Sequence, residues 1–357
     1  MKRARFLVRN FDAGAAVETF LIAAIASILI IRLFLRLTNY PQLGGGGLHV
    51  AHMLWGGLSM MAAIIILLSF LGKTAATLGS ILGGLGFGLF IDEVGKFVTS
   101  DNNYFFKPAV ALIYLIFVLL FLVLRALHAR REFTGHEYLV NALRAMEEVA
   151  RRDLDEDEQK LALDYLKQSN AELPLVAALK GALAHTDLRR APVEPSLFVR
   201  GKKLVTDFYK FIAGARWFGL AVIVFFIGQL IAKSIYVFVL IFIVGLRREQ
   251  ILNYRILGLI VGQIRHLSFL DWAEIASSLL SGIFVLCGVV LIRRAKLTAY
   301  RMFERSVVVS ILLTQVFAFY KEQFSALLGL LFNIAVLLAL RFMIERERSA
   351  QSVTPRL

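Results

Sequence analysis

GSILGGLGFGLFIDEVGKFV, residues 79–98, is the stretch whose reading decides the fold. Gly79, Gly83, Gly84, Gly86 and Gly88 leave one side of a helix bare, and such a groove lets a neighbouring helix backbone come close. Asp92, Glu93 and Lys96 then lie about 6 to 10 Å in from the segment's end, at ~1.5 Å per residue. Charged groups at that depth are costly in lipid, so they face other protein or a water-filled cavity. The stretch therefore reads as a membrane span that carries a buried polar site.

Composition supports a membrane chain. Of 357 residues, 58% are hydrophobic and 29 are Phe, and mean hydropathy is +0.71. Apolar runs repeatedly approach the ~20 residues that cross a bilayer. The single cysteine, Cys287, excludes an internal disulfide and a cysteine-rich metal site. A net charge of +14 raises nucleic acid as a partner, yet residues 128–210 hold 14 basic and 14 acidic side chains. The basic excess thus belongs to the membrane part, where it reports topology, and no nucleic-acid partner is expected.

Taken in order, Lys2, Arg3, Arg5 and Arg9 flank a first span at 14–37 that enters from the cytoplasm. Its apolar run is long for a signal peptide, and Arg32 and Arg36 follow it instead of a small-residue cleavage site. The loop TNYPQLGGGG carries no positive charge and suits the outer face. Span two covers 48–71 and opens with His49, His52 and Trp55. Lys73 sits in an inner turn, the opening stretch is span three, and TSDNNYFFKP leads to span four at 108–127, with Pro108 in its first turn.

Residues 128–210 break the hydropathy and read as a cytoplasmic helical insert. Leu139, Leu143, Met146 and Val149 recur at helical spacing, and Asp155 with Glu158 forms a capping box for a second helix. A third helix follows Pro174 to about His185, and APVEPSLFVRGKK is a linker back to the membrane. The acidic run 153–158 reads as a solvated face. Span five is placed at 212–232, and the region 234–270 reads as a re-entrant hairpin or two thin spans. Later spans fall at 271–292, 303–320 and 324–344.

The expected fold is thus all-α: a polytopic helical integral membrane protein of about eight spans, with ten the alternative. Its parts are a four-span bundle at 1–127, the insert at 128–210 and a C-terminal bundle of about four spans at 211–357. Lysine and arginine bias puts both termini in the cytoplasm of a bacterial-type plasma membrane.

The candidate site gathers Arg32, Arg36, His49, His52, Asp92, Glu93 and Lys96. Spans one and three run outward and span two inward, so these groups share one outer level, with Asp101, Asn102 and Asn103 above them. Within span three Lys96 is spaced to pair with Asp92 or Glu93, which leaves one carboxylate over. His49 and His52 at i, i+3, with Asp92, form a candidate zinc site. In the C-terminal bundle, Asp271, Glu274, Ser277, Ser278 and Ser281 line part of the sixth span, Gln315, Asn333, Lys321 and Glu322 mark spans seven and eight, and the small and hydroxyl residues read as helix packing groups.

Three functional classes follow. The first is transport, or proton- or ion-coupled handling of an anionic lipid or small solute. The second is a membrane-embedded metal hydrolase, in which zinc is held by histidine and carboxylate. The third is a scaffold or signalling protein whose insert recruits a protein partner. Residue types alone leave open whether the chain is an enzyme.

Overall fold

The computed structural model describes residues 8–39, 51–101, 103–104, 106–128, 133–170, 172–186, 188, 207, 216–245 and 268–353. His49, Asn102, most of the loop before span two, the linker 191–203 and residues 246–267 lie outside them. The chain divides into two compact units, Met1–Phe106 with Leu119–Glu194, and Lys107–Val118 with Pro195–Leu357. Helix α5, Pro108–His128, contributes to both.

In the first unit, α1 (Ala13–Leu37), α2 (His52–Ser69) and α3 (Lys73–Asp92) pack side by side. Glycine decides how closely. A Cβ at Gly84 would run into the Phe20 carbonyl, and one at Gly88 into the Ala24 carbonyl and the Ser27 hydroxyl, so α1 and α3 meet backbone to backbone. On the other flank, Gly56 of α2 and Gly86 of α3 face each other, each Cβ position within 2.7 Å of the other's carbonyl oxygen. Ser27 donates across to the Leu85 carbonyl at 3.1 Å and Ser59 to the Leu82 carbonyl at 2.8 Å. Gly83 is different: its Cβ position keeps ordinary clearance from Ala63 and Phe20.

The structure moves both ends of the third span. Lys73 is not in a turn but opens α3, after Gly72 at φ +90°, a conformation that favours glycine. At the other end the helix does not run through to Lys96. It stops at Asp92, and the short helix α4 (Val94–Val98) follows, with the Lys96 N–H returning to the Glu93 carbonyl at 2.9 Å.

The insert is three helices, α6 (Gly135–Ala150), α7 (Glu156–Gln168) and α8 (Pro174–Ala184). The Asp155–Glu158 capping box forms as its sequence indicates, and Thr134–Glu137 makes a second one at the start of α6. Leu139, Leu154, Leu166, Val176, Leu179 and Leu183 form its core, while Leu143 faces outward. Arg9 is more than a basic flank, since it makes a two-point ion pair with the buried Glu137. Phe11 packs on Phe133, Tyr138 and Tyr165. Glu158, in the acidic run, is not merely solvated, since it pairs with Lys73 at the start of α3.

In the second unit, α9 (Arg216–Gly245) runs unbroken for 30 residues, past the expected end of span five at 232. Next come α10 (Phe269–Leu291), α11 (Lys296–Val309), a π-helical turn at Ser310–Thr314, α12 (Gln315–Glu322) and α13 (Ala326–Val353). Gln323, at φ +53°, separates α12 from α13. Tyr300, Phe303 and Val307 pack against Leu340 and Met343, so the run from α11 to α13 folds back on itself. Polar groups here meet one another: Ser281 meets Ser306 at 2.8 Å, Ser277 meets Thr314 at 3.1 Å, and Lys321 pairs with Asp271 and Glu274.

The described residues contain no strand. Six of their helical runs are long and apolar enough to cross a membrane: Ala13–Leu37, His52–Ser69, Lys73–Asp92, Pro108–Ala126, Phe269–Leu291 and the 54-residue run Lys296–Ser349.

Candidate functional site

Asp92 is the last residue of α3 and Glu93 follows it, so two carboxylates stand at the carbonyl end of a helix. That end already carries partial negative charge, which disfavours anions and favours cations. Both are buried, at 0% and 1% exposure. An uncompensated buried carboxylate is penalised by several kcal/mol, at order of magnitude, so cations must come from elsewhere in the fold.

They come from three other elements. Arg32 of α1 donates through Nε to Asp92 Oδ1 at 2.5 Å and through a terminal nitrogen to the Asp92 carbonyl at 3.3 Å. His52, the first residue of α2, lies between the acids, with Nε2 3.3 Å from Asp92 Oδ2 and Nδ1 2.9 Å from Glu93 Oε1. Lys96 of α4 places Nζ 3.2 Å from Glu93 Oε2. The carboxylate left over by counting within span three is thereby matched: Lys96 takes Glu93, and Asp92 belongs to Arg32.

The contacts differ in kind. The Arg32 and Tyr104 bonds to Asp92 are directed hydrogen bonds, whereas His52 Nε2 and both Glu93 oxygens lie within ion-pair distance without hydrogen-bond alignment. Both imidazole nitrogens face carboxylates. The doubly protonated ring presents an N–H to each, and the neutral ring to one only. Here the geometry joins two acids through a group that can carry a proton.

Tyr104 is the residue that sequence reading missed. Its hydroxyl donates to Asp92 Oδ2 at 2.8 Å, and its ring lies 5.1 Å from the Arg32 guanidinium and 5.4 Å from Lys96 Nζ. The cue was present in TSDNNYFFKP, where an aromatic residue with a polar tip follows the acidic turn at close range.

Of the candidate residues, then, Arg32, His52, Asp92, Glu93 and Lys96 are brought together. Arg36 is exposed one turn further along α1, and Asp101 and Asn103 are also exposed. His49 lies outside the described residues. Among the described residues no group of three or more His, Cys, Asp or Glu is disposed to hold a metal ion. Within the described residues Asp92 pairs with Arg32 and Glu93 with Lys96.

No family model, curated protein or solved structure matches this chain. Its apolar helices are consistent with an integral membrane location.

Proposed function

We propose that this chain is an integral membrane protein that crosses a bacterial-type plasma membrane about eight times with both termini cytoplasmic. Its polar cluster acts in the outer half of the membrane as a proton- or ion-coupled site for transport of an anionic lipid or small solute. One observation carries the reading: His52 stands between two fully buried carboxylates contributed by a different helix. Ionisable groups inside a membrane bundle are rare unless they serve a pathway or a relay. A purely structural neutralisation needs only the Arg32 and Lys96 pairs.

The test is proton movement across vesicles. Purified protein is reconstituted with an entrapped pH dye, and an imposed pH step is followed in time. Wild-type protein dissipates the step faster than His52→Ala and Asp92→Asn proteins present at the same folded amount. Equal rates in all three overturn the reading. A scaffold role stands second, supported by the insert's own core and by the exposed Leu161, Leu173 and Leu175 on its surface.

A further inference from the structure

What anion would such a site serve? The answer offered here rests on the reading just proposed. The cluster is layered. Asp92 and Glu93 form its back, whereas the Arg32, His52 and Lys96 side chains keep 20%, 15% and 23% of their surface exposed. An arriving molecule therefore meets cations, and Arg36, one turn along the same face of α1, adds another. Arg32, Arg36 and Lys96 outnumber Asp92 and Glu93 by one charge, and a proton on His52 makes the surplus two.

The rim of the site, at the level of these cations, also carries apolar residues on the same helices: Leu33 and Phe34 follow Arg32 in sequence, Leu54 and Trp55 come soon after His52, and Phe97 and Val98 follow Lys96, each more than half exposed. Interspersed in this way, cations and bare aliphatic and aromatic groups match the depth where acyl chains meet headgroups. Tryptophan is enriched at that level, and long basic side chains reach phosphates there. A freely diffusing small solute needs no such apolar rim, whereas a phospholipid brings the chains that cover it.

We infer that the rim binds the phosphodiester of an anionic phospholipid, with Arg36 and Lys96 as its principal contacts and the surrounding apolar residues against its acyl chains. That surplus accommodates a single phosphodiester charge whether or not His52 carries its proton. The buried carboxylates thus hold the rim's surplus low and hold Arg32 in place.

Thermal unfolding of detergent-purified protein tests this with three probes at matched ionic strength: dioctanoyl phosphatidylglycerol, dioctanoyl phosphatidylcholine and inorganic phosphate. Near saturation the anionic lipid is expected to raise the midpoint by about 5 °C, and the zwitterionic lipid much less. Arg36→Gln and Lys96→Gln should each lose most of that rise, while Arg293→Gln, at a basic position remote in sequence, should keep it. Arg36 is exposed, so its variant reads binding without a folding defect. A rise that is equal in all variants overturns the site. An equal rise with inorganic phosphate keeps a phosphate site and overturns its lipid source. Wild-type protein that moves protons in phosphatidylcholine vesicles but never responds to phosphatidylglycerol overturns this inference alone. A lipid response without proton movement overturns the coupled reading alone.

Discussion

Arg9 and Glu137, 128 positions apart, make a two-point ion pair, with Nε to Oε1 at 2.8 Å and a terminal guanidinium nitrogen to Oε2 at 3.0 Å. The planar fork of arginine matches a carboxylate at both oxygens. Asn141 completes the junction, accepting from the Phe11 N–H at 3.0 Å and donating to the Arg9 carbonyl at 2.8 Å. The insert is therefore fastened to the residues that lead into α1.

This pair predicts a pH dependence. The Arg9 hydrogen bonds, followed by those from Thr134, hold the Glu137 carboxyl at about 2 against an ordinary 4.5. A carboxyl with a lowered folded value contributes stability that is fully present above its unfolded value and is lost as pH falls toward the folded one. The midpoint difference between wild type and Glu137→Gln should be constant down to about pH 5 and shrink between about pH 4.5 and pH 2. Arg9→Ala should lower stability by about 1–2 kcal/mol near neutrality. A difference that stays flat through the acid range refutes the linkage.

Glycine packing predicts a graded series along one face. Gly83→Ala should be nearly neutral, since its Cβ meets only ordinary contacts, whereas Gly84→Ala and Gly88→Ala force α1 from α3. Each of the latter should lower stability by about 1–3 kcal/mol or prevent folding. Folded yield and thermal midpoint in detergent measure it, and equal behaviour of all three variants would contradict the close approach.

His52 and Asp92 in direct contact predict non-additivity. Asp92→Asn and His52→Ala should each abolish proton movement, and the double variant should lose no more than either alone, as residues in one network do. Separate, additive partial losses, measured in the same vesicles at matched protein amounts, would show that the two act independently.

Orientation is tested by labelling. In a Cys287→Ser background, a cysteine at the exposed Asp101 should react with an impermeant thiol reagent in intact cells, and one at the exposed Lys160 should react only after lysis. The reverse pattern inverts the topology and moves the polar cluster to the cytoplasmic leaflet.

Local features were legible in the residues, and long-range partners were not. Helix α1 begins and ends within one residue of the span placed at 14–37, and Pro174 and the Asp155–Glu158 box mark the insert helices correctly, because each rests on neighbours in the chain. The common level of Arg32, His52 and Asp92 followed from counting spans. Which cation meets which acid did not, since spacing favoured Lys96 for either carboxylate and only the packing of α1 on α3 delivers Arg32 to Asp92. The tie between Arg9 and Glu137 has no local trace at all. Thr134–Glu137 has the capping-box spacing, but the stronger apolar periodicity that follows masks it.

The backbone contact of α3 with its neighbours also has a consequence for heredity. Any single-base change of a glycine codon that substitutes another amino acid introduces a Cβ. At Gly84, Gly86 and Gly88 that first carbon already collides with a neighbouring carbonyl. These positions thus have no conservative replacement within mutational reach, whereas Gly83, four residues from Gly79 on the same helix, can drift. A library randomised at Gly83, Gly84 and Gly88 and sorted for folded protein should return glycine alone at the last two and a mixture at the first. The closeness that brings Arg32 within reach of Asp92 leaves this helix face almost no tolerated variation.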